Sequence, residues 1–389
     1  MTPEGLMKRI GVAIIGCGNI AKNHVEAYLA FPDRCRILAV CDIYKDKARE
    51  FAARYAVQDV DVEEDYHELL SRADIDLVSI CLPPSQHCQV SMDFMQAGKD
   101  VVCEKPMAAS LEEADRMNRM AEQTGRLLSV ISQNRYKNDL FKVKRLLDSR
   151  VLGRVLMVRV NSMWYRGSNY YDLWWRGTWE NEGGGCTLNH SVHQIDLLNH
   201  LVGKPLSVLS VIDNLNHDNS EVEDASISIL RYPRMLAQID VTLCDHDEKQ
   251  EILIITENAT ISVPWSLHAV RQLPNGFFEV DEKAMAAIQK RFDAIPDLMH
   301  EGHDGQILNV LKAISKEEVL EVSGHDGRNA LELIYAIYQS ATEKREVELP
   351  LDRNSAFYTK EGMLRVVPKF FKKTKSVDNL SGEITLGRN

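Results

Sequence analysis

Three clusters in this 389-residue chain combine residue types and spacing that suit chemistry. The first is the turn Gly16-Cys17-Gly18-Asn19-Ile20-Ala21, which ends an apolar run and opens a helical pattern. Glycine at Gly16 permits a tight turn, glycine at Gly18 lets backbone approach a pyrophosphate, and small Ala21 allows close packing of helix on strand. Gly16, Gly18, Asn19 and Ile20 are therefore expected to hold dinucleotide phosphates at a helix N-terminus, where unpaired N–H groups favour negative charge. Asp42 closes the next apolar run, where a carboxylate meets ribose hydroxyls and repels a 2′-phosphate. That favours NAD over NADP, although Lys45 stands close enough to offer a phosphate partner. The alternative role for Asp42 is to cap the following helix.

The second cluster is Glu104-Lys105-Pro106, at the end of another apolar run. Lys105 falls on the sheet edge where ligands bind in such folds, and Pro106 holds it extended. An ammonium that loses solvent when a ligand closes over it titrates lower and serves as acid or base; the alternative is a surface lysine in a salt bridge. The third cluster follows Gly183-Gly184-Gly185: Asn189, His193, Asp196 and His200 recur beside the apolar stripe Leu188, Val192, Ile195, Leu198 and Val202 of one expected helix. The glycines let backbone or a ligand approach its first turn, which carries Asn189 and His193. His193 is read as an acid or base, or as the hydrogen-bond partner that orients a reacting hydroxyl. His190 and His193 lack a third ligand, so no metal is expected.

Between these clusters lie Trp164-Tyr165-Arg166, the run Tyr170 to Arg176, and Trp179. Aromatic rings stack on apolar sugar faces and arginine forks bind hydroxyls or carboxylates; packing of a long loop is the alternative. Asn134 and Arg135 fall where two domains should meet and are candidates for cofactor and substrate contact.

The elements that must position these groups are visible as hydrophobic patterns. Runs at 10–16, 37–42, 77–83, 101–105 and 127–132 are apolar on both alternating faces, as strands covered by helices on two sides require. Segments 45–55 and 110–124 carry apolar residues at helical intervals. The expectation is a doubly wound parallel α/β domain over residues 1–133. Beyond about residue 150, runs at 155–163, 206–212, 225–230, 236–243 and 250–256 are rich in β-branched residues, and several alternate polar with apolar. They predict a second α/β domain, residues 134–351, with a large, mostly antiparallel open sheet whose outer face needs solvent or a partner chain. Residues 352–389 hold eight basic and four acidic side chains and read as a basic tail that wraps a neighbour or stays mobile.

Composition removes other classes. The 46 basic against 57 acidic residues leave a net charge of −11, so neither nucleic acid nor a membrane surface is an expected partner. No apolar run approaches the roughly 20 residues that cross a bilayer. The N-terminal apolar run moves straight into glycines without a small-residue cleavage site, which favours a cytoplasmic protein. Eight scattered cysteines, with no C-x-x-C pair, read as reduced thiols.

Leu82-Pro83-Pro84-Ser85-Gln86-His87 and Glu104-Lys105-Pro106, placed after the glycine turn, resemble the Gfo/Idh/MocA family, named for glucose-fructose oxidoreductase and inositol dehydrogenase. The likeness extends to Gly183-Gly184-Gly185 with Asn189-x-x-x-His193-x-x-Asp196, to His303-x-x-Gln306, and to Gly324-His325-Asp326-Gly327-Arg328 through residue 351. The resemblance implies a Rossmann domain, a C-terminal domain whose sheet often forms homodimers or homotetramers, and hydride transfer between nicotinamide and a carbinol carbon of a sugar or cyclitol. Such a transfer leaves a proton for Lys105 to handle. By the same likeness Glu104 lies by the nicotinamide end and Trp175 and Arg176 lie near nicotinamide and substrate; Leu82, Pro83, Ser85 and His87 are expected along the cofactor, and Arg135, Trp164, Arg176, Asn189 and His193 are expected around the substrate with Lys105. Many members carry Asp at the position of Asn189. Asn positions a hydroxyl but does not ionise, which leaves more of the proton transfer to Lys105. Two alternatives accompany this reading: a lyase or hydrolase that oxidises a sugar transiently, and a cofactor-sensing regulator without catalysis.

Overall fold

A computed structural model describes residues 8–377 apart from Ala56 and Gln58. The first sheet contains β1 (Ile10–Ile15), β2 (Cys35–Cys41), β3 (Asp61–Glu63), β4 (Leu77–Ile80), β5 (Asp100–Cys103) and β6 (Leu128–Val130). All pairs are parallel, in the order β3-β2-β1-β4-β5-β6. This is the doubly wound order of a Rossmann fold, and it places the topological switch between β1 and β4, beside the glycine turn. Every residue of β1, β4 and β5 is buried, as the two-faced apolar runs require. Helices α1 (Ala21–Leu29), α2 (Lys45–Arg54), α3 (Pro84–Gln96) and α4 (Leu111–Thr124) make the crossovers, and α5 (Asn138–Asp148) follows β6. α4 shows why its sequence stops and starts where it does. Ser110 accepts the Glu113 N–H at its N-cap, Glu113 reaches back to the Ala109 N–H, and Gly125 ends the helix in the left-handed region.

The second sheet is assembled from β7 (Val155–Met163), β8 (Ser207–Asp213), β9 (Ala225–Arg231), β10 (Leu236–Thr242), β11 (Gln250–Thr256), β12 (Thr260–Val263), β13 (Ser266–His268) and β16 (Val347–Glu348). Its order is β13-β12-β11-β7-β10-β9-β8-β16, antiparallel except for the β7–β10 pair. β8 and β9 alternate buried and exposed residues, and the outward positions are apolar: Leu209 faces Ile229 and Val211 faces Ile227 across the ladder, all four exposed. A separate hairpin joins β14 (Val270–Gln272) to β15 (Phe278–Val280). The remaining helices are α6 (Trp179–Glu182), α7 (Cys186–Asn189), α8 (Val192–Val202), α9 (Glu282–Asp293), α10 (Gly302–Ile314), α11 (Gly324–Glu343) and α12 (Lys360–Val366).

The chain divides into two compact units. One comprises the chain through Gly153, Asp196–Val202 and Ala269–Leu331; the other comprises Arg154–Ile195, Gly203–His268 and the chain from Glu332 onward. This division runs elsewhere than the 133/134 boundary drawn from hydrophobic pattern, because α10 completes the first unit. Its Ile307, Val310 and Leu311 share a core with Val12 and Ile14 of β1 and Val25 of α1. Gln306, fully buried, donates to the Val130 carbonyl (2.9 Å) and accepts the Ser132 N–H (2.9 Å), so a side chain satisfies the edge of β6 where another strand would. All eight cysteines are free thiols. No described helix is long and apolar enough to cross a membrane.

Of the basic tail, expected to wrap a neighbour or stay mobile, residues 367–377 run along their own unit, fastened to Trp179, Ser220 and Asp172. Residues 378–389 lie outside the described part of the chain.

Candidate active site

In the first unit the candidate residues sit at the C-terminal ends of parallel strands. Gly16 has φ +93°, and a Cβ there would lie 2.6 Å from the Cys81 carbonyl oxygen, so both backbone conformation and the approach of β4 demand glycine. Gly18 differs: a Cβ there would meet no protein atom within 4 Å. α1 opens at Ile20 with no side-chain cap and no acid in its first turn, leaving N–H groups for an anion. Asn19 is exposed and Ile20 half-buried beside this open space.

Asp42 is buried and receives three donors: the Cys17 N–H (2.9 Å) and Lys47 Nζ (2.8 Å) at Oδ2, and the Tyr44 N–H (3.1 Å) at Oδ1. Burial pushes its pKa up, but Lys47 and the two N–H groups outweigh it and hold the carboxyl below its ordinary range. The N-cap of α2 is Tyr44, not Asp42. The cation beside Asp42 is Lys47; Lys45, the expected phosphate partner, turns to Glu63 at 3.9 Å. The two lysines stand two residues apart, about half a turn of α2.

After β4, Leu82 and Pro83 lead into α3, which begins at Pro84 with Ser85 exposed in its first turn. His87 is fully buried, with Nε2 2.7 Å from the Leu82 carbonyl and Nδ1 3.0 Å from the Pro106 carbonyl. It joins the loop after β4 to the loop after β5, and burial lowers its pKa. Glu104, at the end of β5, is buried; Oε1 lies 2.9 Å from His24 Nε2 on α1, and Oε2 accepts the Lys105 N–H (3.0 Å). Burial would raise this carboxyl, but the His24 hydrogen bond and the nearby His24, Lys105 and His303 charges bring it down to about 2. His303 Nε2 stands 4.0 Å from Glu104 Oε1, and burial lowers its imidazole to about 4. Lys105 is half-buried beside this anchored carboxylate.

Asn134, half-buried, and Arg135 lie in the turn after β6. Arg135 is committed: Nε and Nη2 grip Asp196 (2.8 and 2.5 Å) and Nη1 reaches Asp326 (3.1 Å). Its fork is a clamp on α8 and α11, with little left for a substrate.

In the second unit, the single helix expected from Leu188 to Val202 is two: α7 ends at Asn189, and α8 begins at Val192. Ser191 causes the break, since its hydroxyl donates to the Thr187 carbonyl (2.7 Å) and its N–H to the Cys186 carbonyl (3.1 Å). Asn189 turns its amide back onto the Gly184 carbonyl (2.8 Å), and His193 is half-buried in the first turn of α8. The glycine run is close to protein rather than open. A Cβ at Gly184 would lie 2.2 Å from the Tyr338 hydroxyl, and one at Gly185 would lie 1.9 Å from the Glu223 carbonyl oxygen. Glu223, fully buried, accepts the Gly185 N–H (2.9 Å), the Thr187 N–H (3.0 Å) and the Tyr338 O–H (2.9 Å). Burial, opposed by those donors, pushes its carboxyl up to about 7.

The aromatic segment is organised around Arg176. Its guanidinium lies 4.1 Å from the Tyr170 ring centroid and 4.0 Å from that of Trp175, and donates to buried Glu182 at 2.6 Å. Glu182 also accepts the Gly177 N–H (2.7 Å). Arg166 stands 5.3 Å from the Trp164 ring and pairs with Glu248 at 2.8 Å. His190 lies 5.8 Å from the rings of both Trp164 and Tyr170. Trp174 and Trp175 remain exposed.

The candidates thus fall into two sets. Gly16, Gly18, Asn19, Ile20, Asp42, Leu82, Pro83, Ser85, His87, Glu104, Lys105, Asn134 and Arg135 belong to the first unit; Trp164, Trp175, Arg176, Asn189 and His193 belong to the second. Sequence reasoning missed Lys47, His24, Glu182, Glu223 and Tyr338. Only His24 left a usable signal, lying on the buried face of the helix that the glycine turn opens.

Residues 10–132 match the model of an oxidoreductase family with an NAD-binding Rossmann fold (Gfo/Idh/MocA), and residues 144–349 match that family's C-terminal α/β domain. The WlbA dehydrogenase of Chromobacterium violaceum, crystallised with NADH and UDP-GlcNAcA, is similar in structure: TM-score 0.77 and 30% identity over 90% of this chain and 99% of that one. An uncharacterized oxidoreductase of Schizosaccharomyces pombe is 31% identical over 232 residues, which span 58% of this chain and 61% of that relative. Myo-inositol 2-dehydrogenase of Thermotoga maritima is 24% identical over 347 residues, 88% of this chain and 98% of the relative.

Proposed function

Because this chain belongs to the Gfo/Idh/MocA oxidoreductase family, with its NAD-binding Rossmann domain, we propose that it is a dehydrogenase that oxidises or reduces a carbinol carbon of a sugar, cyclitol or sugar derivative. The observation that carries this reading is Lys105, half-buried at the end of β5 and anchored through its own N–H to the Glu104 carboxylate. The open face at Gly18, the uncapped start of α1 and the Asp42 carboxylate suit pyrophosphate and ribose, so Gly16, Gly18, Asn19, Ile20 and Asp42 would hold the dinucleotide. When bound, NAD supplies the hydride acceptor or donor.

The chain's own residues handle the proton and the pose. Lys105 Nζ takes the hydroxyl proton as the carbon is oxidised and returns it in reduction. His193 shares that exchange or orients the reacting hydroxyl, and Asn189, which does not ionise, contributes only through hydrogen bonds. Glu104 keeps its charge at neutral pH and anchors the Lys105 backbone at the strand end. Trp164 and Trp175 offer ring faces to the sugar. Arg135 is left out of the substrate set because Asp196 and Asp326 already occupy it. The exposed pairs Leu209–Ile229 and Val211–Ile227 support association as a homodimer or homotetramer, and the working compartment in this reading is the cytoplasm.

The test is a panel of polyols, glycosides, sugar acids and, given the ligand of the Chromobacterium violaceum enzyme, nucleotide-linked uronic acids, read by appearance of reduced nicotinamide. Turnover of at least one member is expected. Retained NADH binding with no turnover on any would replace this reading with that of a cofactor-sensing protein.

A further inference from the structure

The family's C-terminal domain ends at residue 349 in its match to this chain, yet ordered chain continues to Val377. After α12, residues 367–377 run along two stretches of their own unit, Tyr171–Trp179 and Asn219–Glu221. The contacts are a series of fasteners. Trp179, fully buried, donates from Nε1 to the Pro368 carbonyl (2.8 Å). Phe370 and Phe371 donate their N–H groups to the carbonyls of Glu221 (3.1 Å) and Ser220 (3.2 Å). Lys373 Nζ donates to the Leu173 carbonyl (3.0 Å) and to that of Tyr171, and Lys375 pairs with buried Asp172. The Val377 N–H meets the Asp172 carbonyl (2.7 Å), and the Trp174 N–H meets the Val377 carbonyl (3.0 Å).

Asn219 is the hub. Its Oδ1 accepts the N–H groups of Thr374 (2.8 Å) and Lys375 (3.0 Å), while its Nδ2 faces the carbonyls of Lys375 (2.9 Å) and Tyr171 (3.2 Å) and the Asp172 carboxylate (3.1 Å). The basic character of the tail has a use here: its ammonium groups cover loop carbonyls and a buried carboxylate. Between Leu173 and Thr178 the segment has a turn of its own, in which the Arg176 N–H meets the Leu173 carbonyl (3.0 Å), and fixing such irregular backbone costs roughly 1–2 kcal/mol per residue in entropy. Contacts from the tail offset that cost.

We propose that residues 367–377 are a specificity-determining strap: by fixing Tyr171–Trp179 they hold Trp175 in the pose that receives the sugar, without touching it. The inference rests on the functional reading above, which places Trp175 on the substrate side. It assigns to the tail a part in sugar affinity and none in cofactor affinity or in the chemical step.

Three variants test it: two full-length proteins, Asn219→Ala and the double change Lys373→Ala with Lys375→Ala, and a chain ended after Val366. KM for the sugar is expected to rise about tenfold while KM for NAD stays within about twofold and kcat within a few-fold. Hydrogen exchange should lose protection across residues 171–179 in the same proteins. Unchanged protection in Asn219→Ala and in the double variant overturns the strap, and so does lost protection with an unchanged sugar KM. Should the shortened chain fail to fold, the two point-substituted proteins decide. A failure of the whole sugar panel defeats the functional reading, whereas the exchange measurement judges the strap whatever the sugars do.

Discussion

Two glycine turns in this protein look alike in sequence and exist for opposite reasons. At Gly18 the missing side chain leaves space that no protein atom fills within 4 Å, whereas at Gly185 the space is taken by the Glu223 carbonyl, 1.9 Å from where a Cβ would stand. The first turn is open for a ligand; the second is closed by the fold. The contrast extends to the surroundings. In the first unit, Gly16, Asp42 and Glu104 each follow a parallel strand, so ladder and strand order convert chain order into site geometry. In the second, Asn189 and Trp175 depend on fasteners that are remote in sequence: Glu223 and Tyr338 for one, Asn219 and the tail for the other.

Substitutions in the two regions should therefore fail differently. The largest effect is expected from Lys105→Ala, which should lower turnover about 10³-fold while NADH affinity, measured by fluorescence titration, moves only a few-fold. Turnover within tenfold of wild type would remove Lys105 from the mechanism and with it the strand-end half of the comparison. Next come the glycines themselves. Gly185→Ala forces backbone apart and should cost about 3 kcal/mol in urea unfolding, while Gly18→Ala should leave the unfolding midpoint unchanged and weaken NADH binding. Equal unfolding curves for the two variants would erase the distinction. Asp42→Ala should reduce the preference for NAD over NADP about tenfold, since it removes the acid that repels a 2′-phosphate and leaves the Lys47 ammonium in its place; steady-state kinetics with both dinucleotides decides. The last prediction concerns pH. Glu223 ionises at about 7 in the folded chain because it is buried, against 4.5 ordinarily. As pH rises from 4.5 to 7 the unfolded chain ionises first, so the Glu223 contribution to stability is present below 4.5 and is lost across that window. Urea midpoints of wild type and Glu223→Gln should converge or cross there, and parallel curves would mean that Glu223 is not the titrating group.

Five strands of the first unit were legible because burial on both faces writes a continuous apolar run, and α1, α2 and α4 because of the glycine turn and helical spacing, whereas α3 was not read. β3 was not, since Asp61–Glu63 is an exposed or half-buried edge with no such run. Five of the eight strands of the second sheet, β7 to β11, announced themselves by β-branched runs and alternation, while short β12, β13 and β16 did not, and the outward Leu209, Val211, Ile227 and Ile229 show that its outer face carries apolar residues. What stayed hidden was every contact across long sequence separation. The apolar stripe from Leu188 to Val202 keeps its spacing across the break at Ser191, because a short hydroxyl bond interrupts a helix without disturbing its periodicity. Arg176 reads as a ligand for hydroxyls until Glu182, Tyr170 and Trp175 are seen around it. The glycine run reads as room for a ligand until Glu223 and Tyr338 fill it.

The partnership of α1 with α10 sets an order of events at the ribosome. Val25 emerges near the start of synthesis, but Ile307, Val310 and Leu311, which share its core, follow some 280 residues later. At synthesis rates of about 5–20 residues per second that is on the order of tens of seconds during which the nascent nucleotide-binding half exposes an apolar helix stripe and an unfinished β6 edge. Cotranslational chaperones have their natural target in that interval, and the N-terminal half taken alone would inherit it permanently.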